Sequence, residues 1–264
     1  MRYFIFLLVA FTFVSCSNDA ARAGNPYAIT VSGTSMNDSM LYQIEDRIMQ
    51  KFVNSMARTN IAPMDELIAQ LDQGYAQHQQ NLFRYWQAYA LFYKSIYHAQ
   101  VDEMKAAEKA TDRAIDLLQD LNEKTSEDFA LLGFLQGFSI QFKAGVRAPF
   151  ISGKSSKNAK IALEMQPDNP RAYYVLGNND YYTPTQFGGG QEVVAHLEKA
   201  ISLAEQQPDN PYLPSWGAED AYEMLIRYYD REGEEQKARE AIDRALDAFP
   251  DSYRLNELAG KLSK

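Results

Sequence analysis

The sequence predicts an all-α protein, a right-handed helical solenoid of about four helix pairs with a C-terminal capping helix. Three observations predict it. Pro167, Pro208 and Pro250 stand 41 and 42 residues apart in like settings: QPDNP at 166–170, QPDNP at 207–211 and FPDS at 249–252. One further step back reaches Thr125-Ser126-Glu127-Asp128, a polar helix-start signal on the same period. Between these boundaries, apolar residues recur at helical spacing. The composition agrees: 46% of the 264 residues are hydrophobic and 23% charged, which excludes a wholly disordered chain. The formal charge of −9 makes nucleic acid a poor partner, because phosphate contacts need clustered Lys and Arg.

The first element is an address. Arg2 precedes an apolar run, Tyr3 to Val14, followed by Ser15 and Cys16. A positive start, a short apolar stretch and a small residue before a cut site read as a secretory signal. Twelve residues of helix span about 18 Å, too short for a hydrocarbon core of about 30 Å. Phe13-Val14-Ser15-Cys16 resembles a bacterial lipobox, although Phe13 stands where that pattern usually has Leu. The resemblance implies lipid attachment at Cys16, the chain's only cysteine, and an envelope location, at the periplasmic side of the outer membrane. It divides the chain into a signal peptide (1–15), a lipidated tether (16–36), an N-terminal helical segment (37–84) and the repeats (85–264). The tether is small, polar and Gly/Pro-bearing, and contact with the membrane is expected through the lipid anchor only. Tyr27–Val31 has strand character but no nearby partner. Helical periodicity starts at Asn37, and 65–80 is expected to form a helix ahead of the first repeat.

Each repeat follows one plan. In the last, Tyr222, Leu225, Ile226 and Tyr229 share a helix face. Gly233 then supplies a turn, Ala238 and Ala245 sit two turns apart on a second helix, and Pro250 stops it. This order of bulky, aromatic and small residues before a proline resembles the tetratricopeptide repeat (TPR) over about residues 80–264. The preceding unit has Tyr173, Leu176, Gly177, then Val193, Leu197 and Ala200. The one before it starts at 129–133, ends in Ala159, Ala162 and Pro167, and is expected to carry a long connection from Gly145 to Gly153. The first has Trp86, Tyr89 and Tyr93, then Ala107 and Ala114. Neither helix of a pair can bury its face alone, so the units must stack, and Ser252–Lys264 covers the open end.

The TPR resemblance also implies a concave face, lined in the unit of Tyr173 by Arg171, Tyr174, Asn178 and Tyr181, with Tyr182 adjacent. Asn178 matches the asparagine of TPR domains that clamp a carboxyl terminus, but Tyr174 stands where their basic residue would be. In the last unit the same face carries Asp220, Glu223, Arg227 and Asp230, which is mixed charge. The run 181–190 adds Phe187 and three glycines to the rim. Trp216, in the loop 211–217, either anchors a partner or staples that loop to the stack. Such a face suits a protein or peptide partner in the envelope, or a small amphiphilic ligand.

The segment Asn169–Ile201 further resembles periplasmic TPR lipoproteins with a Pro- and GG-containing insert, among them the TPR partners of TRAP-type solute transporters. That likeness implies pairing with a solute-binding protein; the alternative is a subunit of an outer-membrane assembly machine.

Catalytic chemistry finds no foothold in the pattern. Gly188-Gly189-Gly190 lacks the preceding strand and following Lys-Ser/Thr of a phosphate loop. His78, His98 and His196 are far apart and show no ligand spacing. Asn178-Asn179-Asp180 lacks the spacing of a calcium loop. No cofactor or metal is expected, and the chain reads as a scaffold that makes and breaks no bonds.

Overall fold

The computed structural model describes residues 36–143 and 145–262. The signal, Cys16, the tether up to residue 35 and Tyr27–Val31 lie outside the described residues, while Met36, the last residue assigned to the tether, opens the first helix. The described chain forms twelve α-helices: α1 (Met36–Leu41), α2 (Ile44–Arg58), α3 (Ala62–His78), α4 (Asn81–Gln100), α5 (Met104–Gln119), α6 (Ser126–Ser139), α7 (Ala148–Met165), α8 (Pro170–Tyr182), α9 (Val193–Ala204), α10 (Ala218–Arg231), α11 (Glu235–Ala248) and α12 (Tyr253–Leu262). Short 3-10 turns occupy Ile140–Phe142, Gly145–Arg147 and Thr185–Phe187. No strand occurs among the described residues.

The polar boundaries work as helix caps. At α6, Thr125 Oγ1 accepts from the Asp128 N–H at 3.2 Å and the Thr125 N–H donates to Asp128 Oδ2 at 2.8 Å, a reciprocal capping box. At α8, Asn169 Oδ1 accepts from the Ala172 N–H at 3.1 Å, and Pro170 sits where its missing N–H costs nothing. Ser252 Oγ accepts from the Leu255 N–H at α12.

Sequence neighbours then pair: α4 with α5, α6 with α7, α8 with α9, α10 with α11. The first helices also touch one another in order, α4 to α6, α6 to α8 and α8 to α10. The fold is therefore an all-helical, TPR-like solenoid of four helix pairs, with α12 packed on α10 and α11 and with α2 and α3 ahead of α4. Small residues set the spacing within each pair. Ala107, Ala114, Ala159, Ala162, Ala238 and Ala245 are buried on the second helices. At Gly177 a Cβ would come within 2.7 Å of Leu197 Cδ2, so α8 and α9 meet only because that position has no side chain.

Two expectations are corrected in detail. The connection after α6 is shorter than expected: Pro149 starts α7 in its first turn and Gly153 lies inside that helix. The helix expected at 65–80 runs from Ala62 to His78, started by Pro63.

A loop closes the stack across its middle. Residues 205–217 carry Tyr212 and Trp216 inward against the first helices. Trp216 is buried, its Nε1 donates to the Tyr85 hydroxyl at 2.7 Å, and its ring stacks 6.0 Å from Tyr89 and lies tilted 5.3 Å from Phe134. Trp86 Nε1 donates to the Tyr212 carbonyl at 3.2 Å. From the other side α2 clasps the same loop: the Gln43 N–H donates to the Pro211 carbonyl at 2.8 Å, and Glu45 Oε2 accepts from the Ser215 N–H at 2.7 Å.

Candidate functional site

The segment between α8 and α9 is braced by one carboxylate. Asp180 Oδ1 accepts from the Gly190 N–H at 3.1 Å, and its Oδ2 accepts from the Glu192 N–H at 2.7 Å, just before α9. A carboxylate there satisfies free N–H groups and suits the positive end of the α9 dipole. The segment then folds on itself. Phe187 N–H donates to the Pro184 carbonyl and Gly188 N–H to that of Thr185, with Gly188 and Gly190 at φ of +87°. A Cβ at Gly189 would stand 1.9 Å from the Thr183 carbonyl oxygen. The three glycines thus meet a geometric demand. From α10, the Tyr228 hydroxyl donates to the Gly190 carbonyl at 3.0 Å and ties the segment to the next pair.

A braced loop can hold aromatics out in solvent. Tyr182 is 71% and Phe187 72% exposed. Beside them lies a cleft of about 480 Å³ lined by Tyr181, Tyr182, Thr183, Pro184, Thr185, Gly190, Arg231 and Glu232, with the Arg231 Nε donating to Glu232 Oε1 at 3.1 Å. The Arg231 guanidinium lies 4.4 Å from the Tyr181 ring centre and 5.2 Å from that of Tyr228, and donates to the Tyr181 carbonyl. Arg227 is exposed, and its Nε and Nη2 both donate to Glu223 Oε1. The arrangement offers apolar ring surface beside guanidinium groups, which can hold a side chain or a flat amphiphile by burial and cation–π contact.

The nine residues expected to carry binding or attachment separate. Tyr181, Tyr182, Phe187 and Arg227 lie on or next to this rim, and Asn178 is half-buried on α8. Cys16 is outside the described residues. Arg171 and Tyr174 are corrected: both are buried, because the loop 205–217 fills the space they were expected to line. Trp216, expected either to anchor a partner or to staple its loop to the stack, is buried in the stapling role, so its place among the groove residues is corrected too. Tyr174 packs edge-on to Trp216 at 6.1 Å, and burial raises its phenol pKa well above the ordinary value. Arg171 Nε and Nη2 donate to the two Glu127 carboxylate oxygens at 2.5 and 2.6 Å, and its Nη atoms donate to Gln207 Oε1 at 3.1 Å. Burial disfavours that charge, but the Glu127 carboxylate outweighs it and the guanidinium pKa is raised. Asn169 Nδ2 joins by donating to Ser126 Oγ and Glu127 Oε1. The recurring QPDNP motif is therefore an internal fastener: Asn169 from one copy and Gln207 from the next meet around Arg171 and Glu127.

Asp180 and Arg231 are the rim residues that sequence reasoning missed. The signal for Asp180 was an acidic residue eight positions before the glycine run 188–190, which precedes a helix start. Arg231 had no local signal, since its role depends on α8 and α10 lying side by side. The histidines stay apart: His98 Nδ1 lies 2.7 Å from Glu103 Oε2, His78 stacks on Phe83, and His196 Nδ1 is buried without a hydrogen-bond partner. Among the described residues, no three His, Cys, Asp or Glu side chains are grouped to hold a metal ion.

Known proteins share this architecture. The HusA haemophore from Porphyromonas gingivalis is 23% identical with a TM-score of 0.54, covering 76% of this chain and 96% of its own. TTC0263, a thermophilic TPR protein of Thermus thermophilus, is 13% identical with a TM-score of 0.52, covering 84% of this chain and 100% of its own. At these identities the likeness is one of fold. No curated protein matches the chain. The family model described as "Anaphase-promoting complex subunit 5" matches residues 48–137, which run from α2 into α6, residues 173–216, which hold most of α8 and all of α9, and residues 211–258, which hold α10 and α11. Since these segments span about two thirds of the sequence, the chain belongs to the helical-repeat family of that model.

Proposed function

We propose that this protein is an exported, lipid-anchored scaffold of the bacterial cell envelope that captures a protein segment at the Tyr181–Gly190 rim and performs no chemistry on it. The observation that carries the reading is the pair of solvent-facing aromatics, Tyr182 and Phe187, on a segment held rigid by Asp180, Gly189 and Tyr228. A pre-ordered aromatic edge binds with little ordering cost, and TPR-like folds are protein-binding scaffolds. The lipobox-like sequence at Cys16 supports attachment: two or more acyl chains, at about 0.8 kcal/mol per buried methylene, anchor durably. The periplasmic side of the outer membrane is the site this predicts. Crosslinking in the native envelope, followed by capture, tests the reading. Tyr182→Ser with Phe187→Ser should abolish the partner adduct while leaving helix content unchanged; undiminished adducts would refute the rim. The partner's identity then separates a TRAP-associated role, which yields a solute-binding protein, from an assembly-machine role, which yields a barrel-assembly protein. Cys16→Ala should release the protein from the membrane fraction.

A second reading has its own observation. The cleft of about 480 Å³ joins Tyr181, Tyr182 and Arg231, and its volume lies within the usual range for small-ligand sites of about 300–1,000 Å³. A flat amphiphile would stack on the tyrosines with its polar edge toward Arg231, displacing the Glu232 carboxylate that pairs with that guanidinium at 3.1 Å. The structural neighbour HusA is a haemophore, so haemin is the first probe. A saturable absorbance change lost in Arg231→Ala would support this reading, and no change would dismiss it.

A further inference from the structure

The net charge of −9 is not evenly spread. From Phe129 to Leu163 the chain carries Lys143, Arg147, Lys154, Lys157 and Lys160 and no acidic residue. Lys143 is neutralised by Glu108 at 2.7 Å and Asp112 at 2.9 Å. The other four are exposed and form no ion pair among the described residues. Their placement is ordered. On α7, Phe150, Lys154 and Lys157 follow at i, i+4 and i+7, one helix face. The buried residues Ser155, Ala159 and Ala162 occupy the opposite face, packed on α6 and α8. Arg147 precedes the stripe, Lys160 flanks it, and Glu164 marks its end.

At the head of the stripe is Phe150, 68% exposed, with Lys154 Nζ 4.6 Å from its ring centre. An exposed aromatic surrounded by long cationic side chains is the arrangement of an interfacial anchor. The ring enters the acyl boundary while the lysine stems lie along it and keep their charges among the headgroups. The face is a single convex helix of about 20 Å between Arg147 and Lys160. It meets a flat anionic sheet along its whole length.

We propose that the outer face of α7 docks this protein on an anionic lipid surface. The proposal is independent of acylation at Cys16 and of the rim, and it adds a second membrane contact to the lipid anchor that the sequence leads one to expect. At physiological salt the acidic surface elsewhere is screened beyond about 8 Å, so the nearest charges decide the contact.

The test uses the full chain in a Cys16→Ala background, with Phe150→Cys carrying an environment-sensitive apolar dye. Because the dye sits on α7, membrane binding by the apolar leader does not by itself move the signal. Vesicles of phosphatidylcholine with about one third phosphatidylglycerol should shift the dye to the blue, and phosphatidylcholine alone should not. Adding Lys154→Glu, Lys157→Glu and Lys160→Glu should raise the lipid needed by at least about a hundredfold, with the helical circular-dichroism spectrum unchanged. High salt should also remove the shift. No shift with the anionic vesicles, or equal shifts with both lipids, would overturn the proposal. So would a shift with polyglutamate and none with vesicles, which would assign the face to an acidic protein segment instead.

Discussion

Trp216 and Tyr85 are 131 residues apart in sequence, yet the indole Nε1 donates to the phenol oxygen at 2.7 Å in the buried middle of the stack. This contact joins the first helix pair to the loop before the last. Because of it, the space between the first helices is filled by the chain itself. Trp216→Ala should cost about 3–5 kcal/mol, the range for a buried aromatic truncation, measured by urea unfolding. Trp216→Phe keeps most of the packing and should cost clearly less. An Ala variant as stable as the parent would show that the loop is a loose cover.

Arg171 and Glu127 form a buried pair between α6 and α8. Removing one partner leaves a buried charge, so Arg171→Ala should cost about 3–5 kcal/mol. The double variant Arg171→Met with Glu127→Leu should cost less than either change alone. If instead Arg171→Ala left stability intact and weakened partner capture, the residue would belong to a binding surface after all.

Two glycines should respond in opposite directions. Gly189→Ala forces a methyl group against the Thr183 carbonyl and should cost about 1–3 kcal/mol, with the rim displaced. Gly153 lies within α7 with nothing near an added Cβ, so Gly153→Ala should stabilise by about 0.5–1 kcal/mol. Thermal unfolding of the two variants checks both signs.

Acid should relieve one site. Burial raises the Glu45 carboxyl pKa above its ordinary value, against the opposing hydrogen bonds from Ser215 and the charge of Arg171. A raised carboxyl opposes folding fully at pH above its folded pKa, and the penalty fades as pH falls toward the unfolded value. Glu45→Gln should therefore raise the Tm at neutral pH, and the difference should close in acid. A variant less stable at neutral pH would show that the Ser215 hydrogen bonds to the charged form dominate.

The period of 41 and 42 residues made the helix pairs legible, because three of the four boundaries carry their own cap: Thr125, Asn169 and Ser252 act locally, whereas the boundary at 207–211 opens the long loop and α10 starts only at Ala218, behind Gly217 and without a side-chain cap. The rim was partly legible for the same reason, since Pro184 and the three glycines mark an ordered turn. What lay hidden was long-range. Helical phase places Arg171 and Tyr174 on the inward side of α8, but nothing local says that Trp216 arrives there from a loop far along the chain. Arg231 is silent for the same reason, as its partners Tyr181 and Tyr228 come together only when α8 and α10 pack.

Photo-crosslinking from single positions in the native envelope tests the central claim most directly. A benzoylphenylalanine at position 182 should give a discrete adduct with a partner protein, whereas the same group at position 174 should give none, because that side chain faces the protein's own loop. Adducts from position 174 together with silence at 182 would mean that the interior opens to take the partner and that the rim does not bind it.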